Sequence, residues 1–123
     1  MTNNYPWLYD CLAAKPGAHS DFKAEWGWTR YMLDGKLFAA VCKNEAGEDY
    51  IVTLKLEPTE GELLRATFPS VFPGYYMDKR HWNSVYLDGT LPEYILRDVC
   101  EKSYRLILAK LPKKRRREIL GEG

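Results

Sequence analysis

The sequence predicts an α+β fold: a single compact domain in which a twisted antiparallel sheet packs against helices. Three observations carry this expectation. Apolar and polar residues alternate with period two over residues 21–26 and 50–56, on either side of an Asp34-Gly35 hairpin signal. Leu96, Val99, Cys100, Ser103, Ile107 and Leu111 recur at helical spacing and mark one long helix near the C-terminus. At 123 residues the chain is of single-domain length, and long enough to bury a core without disulfides or a metal.

The elements follow in order. Residues 4–14 read as a first helix, with Asn3 or Asn4 as a cap and Pro6 in the first turn. Its apolar face is Trp7, Leu8, Cys11 and Leu12, and Lys15-Pro16-Gly17 ends it. Phe22, Ala24 and Trp26 then alternate with Asp21, Lys23 and Glu25. Strand-like runs at 28–33 and 37–43 flank Asp34-Gly35, a pair suited to a turn with positive φ at both positions. Residues 44–49 form a polar loop. The next strand, 50–56, sets Tyr50, Val52, Leu54 and Leu56 against Ile51, Thr53 and Lys55. A meander of three or four strands with one buried face is expected.

Glu57-Pro58-Thr59 stops the sheet, and Thr59 with Glu62 fits a capping box for a helix over about residues 60–67. Leu63, Leu64 and Phe68 should point inward, Gly61 weakens the helix, and Arg65 is at least partly exposed. Pro73-Gly74 suits a type II turn. Residues 81–87 read as a strand, and Thr90-Leu91-Pro92-Glu93 as a second capping box opening the long helix. Ser103 sits inside the apolar stripe, and its hydroxyl is expected to bond a carbonyl of the preceding turn. The boundaries predicted are a domain over 1–111 and a flexible basic tail over 112–123.

Composition narrows the function classes. The formal net charge is +1, but residues 110–123 hold six Lys/Arg against two Asp/Glu, leaving a net of −3 on residues 1–109. The body is not a basic protein, so any polyanion must meet a local patch or the tail. Cys11, Cys42 and Cys100 are widely spaced and odd in number, which argues against a disulfide framework and a zinc site. No basic-then-apolar leader opens the chain and no apolar run approaches the roughly 20 residues of a membrane helix. A cytoplasmic monomer with no metal and no cofactor is expected.

The stretch from Phe72 to Leu87 is the densest in groups that could meet a ligand. In order along the chain, Asp34-Gly35-Lys36-Leu37-Phe38-Ala39, Leu54-Lys55-Leu56-Glu57-Pro58, Leu64-Arg65, Pro73-Gly74-Tyr75-Tyr76-Met77-Asp78-Lys79-Arg80-His81-Trp82-Asn83-Ser84-Val85 and Ser103-Tyr104 resemble the MmcQ/YjbR-like proteins. Lys-x-His-Trp-Asn is the most specific part, and the similarity runs from about residue 26 to 111. The resemblance implies a twisted antiparallel sheet covered by helices, comparable with frataxin-like and secretion-chaperone-like folds. It also implies the DNA-binding "double wing" role commonly predicted for such proteins, and brings no cofactor or catalytic residues.

Three classes of function remain. The favoured one is nucleic acid, DNA first, bound by a non-enzymatic module. Lys55, Arg65 and Lys79 would contact phosphate, Arg80 would add charge, His81 would hydrogen-bond, and Tyr76 and Trp82 would stack. Lys113, Lys114, Arg115, Arg116 and Arg117 would add phosphate contacts from the tail. A small anionic ligand or peptide held by Lys55, Arg65 and Lys79 is the alternative. An enzyme using His81 with Ser84 or Ser103 lacks any supporting motif.

Overall fold

In a computed structural model, which describes residues 3–74 and 77–121, helix α1 (Leu8–Ala13) leads into four strands joined as a meander. They are β1 (Ala18–Lys23), β2 (Trp28–Leu33), β3 (Lys36–Lys43) and β4 (Asp49–Lys55). Helix α2 (Pro58–Thr67), the short strand β5 (Val71–Pro73) and strand β6 (Trp82–Tyr86) follow. Helices α3 (Glu93–Leu108) and α4 (Lys113–Leu120) complete the chain. Every strand pairing is antiparallel, and the sheet order is β1-β2-β3-β4-β6-β5, with β6 inserted beside β4 and β5 at the edge.

The turn at Asp34-Gly35 is the one its residues require. Asp34 has φ 48° and Gly35 φ 77°, a pair that only Asp, Asn and Gly adopt at low cost. Helix α3 lies across β2, β3 and β4 and shares the main core with α1. Tyr5, Leu8 and Leu12 meet Leu33, Val41, Val52, Leu54 and Val85 of the sheet and Leu96, Cys100 and Ile107 of α3.

Several local expectations are corrected. Helix α1 begins at Leu8 rather than near Asn4, because Asn3 Oδ1 accepts from Tyr5 N–H and ties the preceding residues into a turn. Neither capping box forms. Helix α2 starts at Pro58, before Thr59, and Thr90 Oγ1 donates to Asp88 Oδ1 three residues ahead of α3. Leu63 is 69% exposed, so α2 packs chiefly through Gly61, Leu64 and Phe68. Trp26, past the end of β1 at Lys23, and Phe22, within β1, are also exposed.

Gly74 does not take the left-handed φ of a type II turn. Its missing side chain matters for another reason: a Cβ there would lie 2.7 Å from Trp82 Cβ and 3.1 Å from the Trp82 carbonyl oxygen. Ser103 does not bond its own helix. Its fully buried hydroxyl donates to Phe38 O at 2.5 Å and accepts Lys55 N–H at 2.8 Å, bolting α3 to β3 and β4.

The basic tail is helix α4 rather than a flexible end. Arg115 makes two bonds to the Asp34 carboxylate, at 2.8 and 2.9 Å, and Ile119 packs on the main core near Gly17 and Leu33. Arg116 Nη1 donates to Ala109 O and Leu111 O, both at 3.2 Å, satisfying carbonyls that the end of α3 leaves open. Among the described residues, no helix is long and apolar enough to cross a membrane.

Candidate functional site

The register brings the turn between β2 and β3, the end of β4 and the start of β6 to one end of the sheet. Helix α3 runs out at the same end. Lys55, the last residue of β4, pairs with Trp82, and its Nζ lies 5.9 Å from the centroid of the Trp82 ring. Lys110, just past α3, lies close enough to the Lys55 amine to disfavour its charge. Burial, and then the Lys110 ammonium, push the Lys55 amine down to about 8, with Asp78 and Glu57 too weak to offset them. Among the described residues neither lysine has a salt bridge. The Lys55 ammonium over the indole ring with the Lys110 ammonium beside it, neither in a salt bridge, makes a place where an anion gains and a cation loses.

The turn over residues 78–81 forms the wall beside Trp82. Asp78 organises it: Oδ1 accepts Arg80 N–H at 2.9 Å, Oδ2 contacts His81 Nδ1 at 2.7 Å, and its carbonyl accepts Trp82 N–H at 2.9 Å. The His81 bond, with that from Arg80 N–H, holds the Asp78 carboxyl below its usual range. His81 O accepts Leu56 N–H, which fixes the turn against the end of β4. Lys79 Nζ donates to Gly74 O at 3.3 Å, and Arg80 is exposed.

Of the residues expected to form a site, Lys55, His81 and Trp82 therefore meet, with Lys79 and Arg80 on the adjoining turn. Arg65 stands apart. Its Nη1 bonds Asn83 Oδ1, and Asn83 points away from the face that carries Trp82, by the alternation of β6. Asn83 is 1% exposed; its amide also donates to His81 O, and Gly61 approaches it closely enough that α2 lies directly over β6. Arg65 thus braces α2. Tyr76, and Tyr75 beside it, lie outside the described residues.

Sequence reasoning missed two features. Lys110 follows Ile107 by three residues, but it is exposed and lies past the end of α3, so the helical stripe did not point to it. The second is the far face of the sheet. Ala40, Cys42 and Ile51 are buried there without a covering helix, and Trp28, Tyr50, Phe72 and Tyr86 pack around them. They line an open trough of about 1140 Å³ that reaches Trp26 at one end and Met77 at the other. Burial pushes the Cys42 thiol of this floor up to about 12.

The family model described as YjbR matches residues 13–106. The chain is 36% identical over 110 residues to the uncharacterised protein YjbR of Escherichia coli K12, covering 89% of this chain and 91% of that protein. The chain belongs to the YjbR family. To the uncharacterised YyaQ of Bacillus subtilis, a YjbR-family chain like this one is 34% identical over 104 residues, which is 84% of it and 82% of YyaQ. The crystal structure of Deinococcus radiodurans protein DR2400, a DUF419 domain, superposes with a TM-score of 0.80 at 28% identity over 93% of this chain and 85% of that one. A Pseudomonas syringae protein shares the fold, with a TM-score of 0.70 at 22% identity over 81% of this chain and 95% of the other. The YjbR match ends before Lys110 and α4, so half of the Lys55–Lys110 pair lies beyond the matched residues.

Proposed function

We propose that this YjbR-family protein is a non-enzymatic binding module whose partner is nucleic acid, DNA first, held by its phosphates at the end of the sheet. The observation that carries this reading is Lys55 over Trp82 with Lys110 beside it, two cations drawn together with no salt bridge to either. Lys79 and Arg80 adjoin it on the 78–81 turn. Helix α4 follows Lys110 directly and adds exposed Lys113, Lys114 and Arg117, so the excess positive charge of residues 110–123 is spent at this end. Acidic groups here are largely engaged: Asp34 by Arg115 and Asp78 by His81. The loop at the other end carries Glu45, Glu48 and Asp49, which sets the polarity of the molecule. The same reading sets the protein in the cytoplasm, where free Cys11, Cys42 and Cys100 stay reduced.

The test is fluorescence anisotropy with labelled oligonucleotides across a salt series, on the full chain and on Lys55→Ala and Lys110→Ala. Each lost phosphate contact should lower the log–log salt slope by about 0.7 to 0.9. Unchanged affinity and slope in both folded variants would defeat the proposal. A small anion gives the runner-up, favoured by the compactness of the lysine pair; it predicts saturable stabilisation by a phosphate or carboxylate metabolite with no dependence on oligonucleotide length.

A further inference from the structure

The aromatic trough lies on the sheet face that carries Lys55 and Trp82, and reaches Thr53 and Met77 beside them. On the uncovered face, the Lys55–Trp82 row is followed by Thr53–Ser84–Phe72 and then by Cys42–Ile51–Tyr86, each step two residues further along β4. The four residue steps from Lys55 to Ile51 span about 14 Å at the rise of a strand. Along that line stand flat rings on both sides of an apolar floor. Phe72 and Tyr86 lie 4.6 Å apart, Tyr50 and Tyr86 5.5 Å, and across the trough Trp26 and Trp28 lie 5.3 Å apart. Trp26 is 54% exposed although it borders the trough. Charge orders the same line: cations stand at the Lys55 end, while at the far end Lys43 is paired with Asp49 and leaves Glu45 of the lining, with the exposed Glu25 next to Trp26 in sequence, as carboxylates.

Building on the reading above, we propose that the trough is the base-stacking half of a single-stranded nucleic-acid site, with the phosphates at Lys55 and Lys110 and the bases against Phe72, Tyr86 and Trp26. Aromatic faces accept any base, and sheets that carry rings on an open face hold two or three of them. A duplex hides those faces in its own stack, so this surface discriminates for single strands. The carboxylates of Glu25 and Glu45 repel phosphate and close the site after two or three nucleotides. Cations that fix the backbone and rings that take the bases are thereby separated along one face, which a site for a single small anion does not require.

The experiment uses the full chain, oligo-dT of 2 to 12 nucleotides with a 3′ dye, and the matching duplex. Variants are Trp26→Ala, on an exposed ring whose loss leaves the core intact, Phe72→Ala and Lys55→Ala, each checked by its melting curve. Affinity should rise steeply up to three nucleotides and level off, and the duplex should bind more weakly than the single strand. Trp26→Ala and Phe72→Ala should each weaken single-strand binding by about 5- to 150-fold, with the salt slope unchanged. Lys55→Ala should lower the slope instead. If both ring variants bind single strands like the parent while Lys55→Ala loses affinity, the phosphate reading survives and the stacking proposal is overturned. Full retention of binding by Lys55→Ala and, in the same assay, by Lys110→Ala would overturn the phosphate reading itself. A duplex that binds as tightly as the single strand overturns the stacking proposal whatever the variants do.

Discussion

Removing the Ser103 hydroxyl tests how this fold fixes its candidate site. In Ser103→Ala the Phe38 carbonyl loses its donor and the Lys55 amide its acceptor, in a site with no exposure to water. Each buried group left unpaired costs about 1–3 kcal/mol, so the pair amounts to roughly 2–4 kcal/mol once the gain of a slightly more apolar side chain is allowed for. A chain of 123 residues unfolds near 60 °C with an entropy of about 0.26 kcal/mol/K, so Tm should fall by about 8–15 °C. Urea unfolding should show a lower midpoint with an unchanged slope, because the native surface is the same. Amide exchange adds a local readout: the Lys55 N–H should lose more protection than its neighbours in β4. A loss below about 1 kcal/mol with Lys55 still protected would refute the argument, since it would mean that neither strand depends on this hydroxyl.

Other outcomes follow from the same geometry. Gly74→Ala forces a methyl against Trp82 backbone and Cβ, so it should cost about 1–3 kcal/mol in thermal or urea unfolding; a neutral result would mean that β5 shifts freely. In Lys110→Gln the Lys55 amine should titrate higher than about 8, seen by NMR of labelled lysine, though not at its unperturbed value because burial remains. Phosphate or oligonucleotide affinity of the parent should fall as pH rises through about 8, because the Lys55 ammonium that attracts the anion is then discharged in the free protein. Burial opposes ionisation of Asp49, but bonds from Lys43, Tyr9 and Asn3 outweigh it and hold the carboxyl below its usual value. The stability this supplies is present above the unfolded carboxylate range and lost as pH falls through it, so Asp49→Asn should flatten the acid limb of a Tm–pH profile. Asp34→Asn keeps the positive φ of the turn yet frees Arg115, and at this exposed pair should leave the melting temperature nearly unchanged.

The elements were legible where one local rule dominated. Asp34-Gly35 dictated its turn, and the stripe from Leu96 to Ile107 dictated α3. The capping signals at Thr59 and Thr90 failed because Pro58 and Pro92 supply the dihedrals that start a helix and sit elsewhere in the chain than the boxes require. The second sheet face escaped notice because β3 is buried on both sides over Phe38–Cys42, which blurs a period of two into a continuous apolar run. At the candidate site, Lys55, His81 and Trp82 could be placed together from one motif and a strand register. Arg65 could not: alternation sets Asn83 opposite Trp82, but nothing local tells that α2 lies over that face and hands Arg65 to Asn83. Lys110 depended on where α3 ends relative to the sheet, a tertiary distance that no window of sequence contains.

The order of the strands leaves two open edges, β1 and β5, and a chain of net charge +1 has little overall repulsion to keep copies apart. Protection must then be local. Strand β5 has only three residues and ends in Pro73, which offers no N–H to an incoming strand. Strand β1 is twice as long, and it answers with the Asp21–Arg30 ion pair on its surface and with Lys23 at its end. Growth of the sheet from one molecule into the next is therefore obstructed at both ends by different means, geometry on one side and charge on the other. Salt weakens the second and leaves the first untouched.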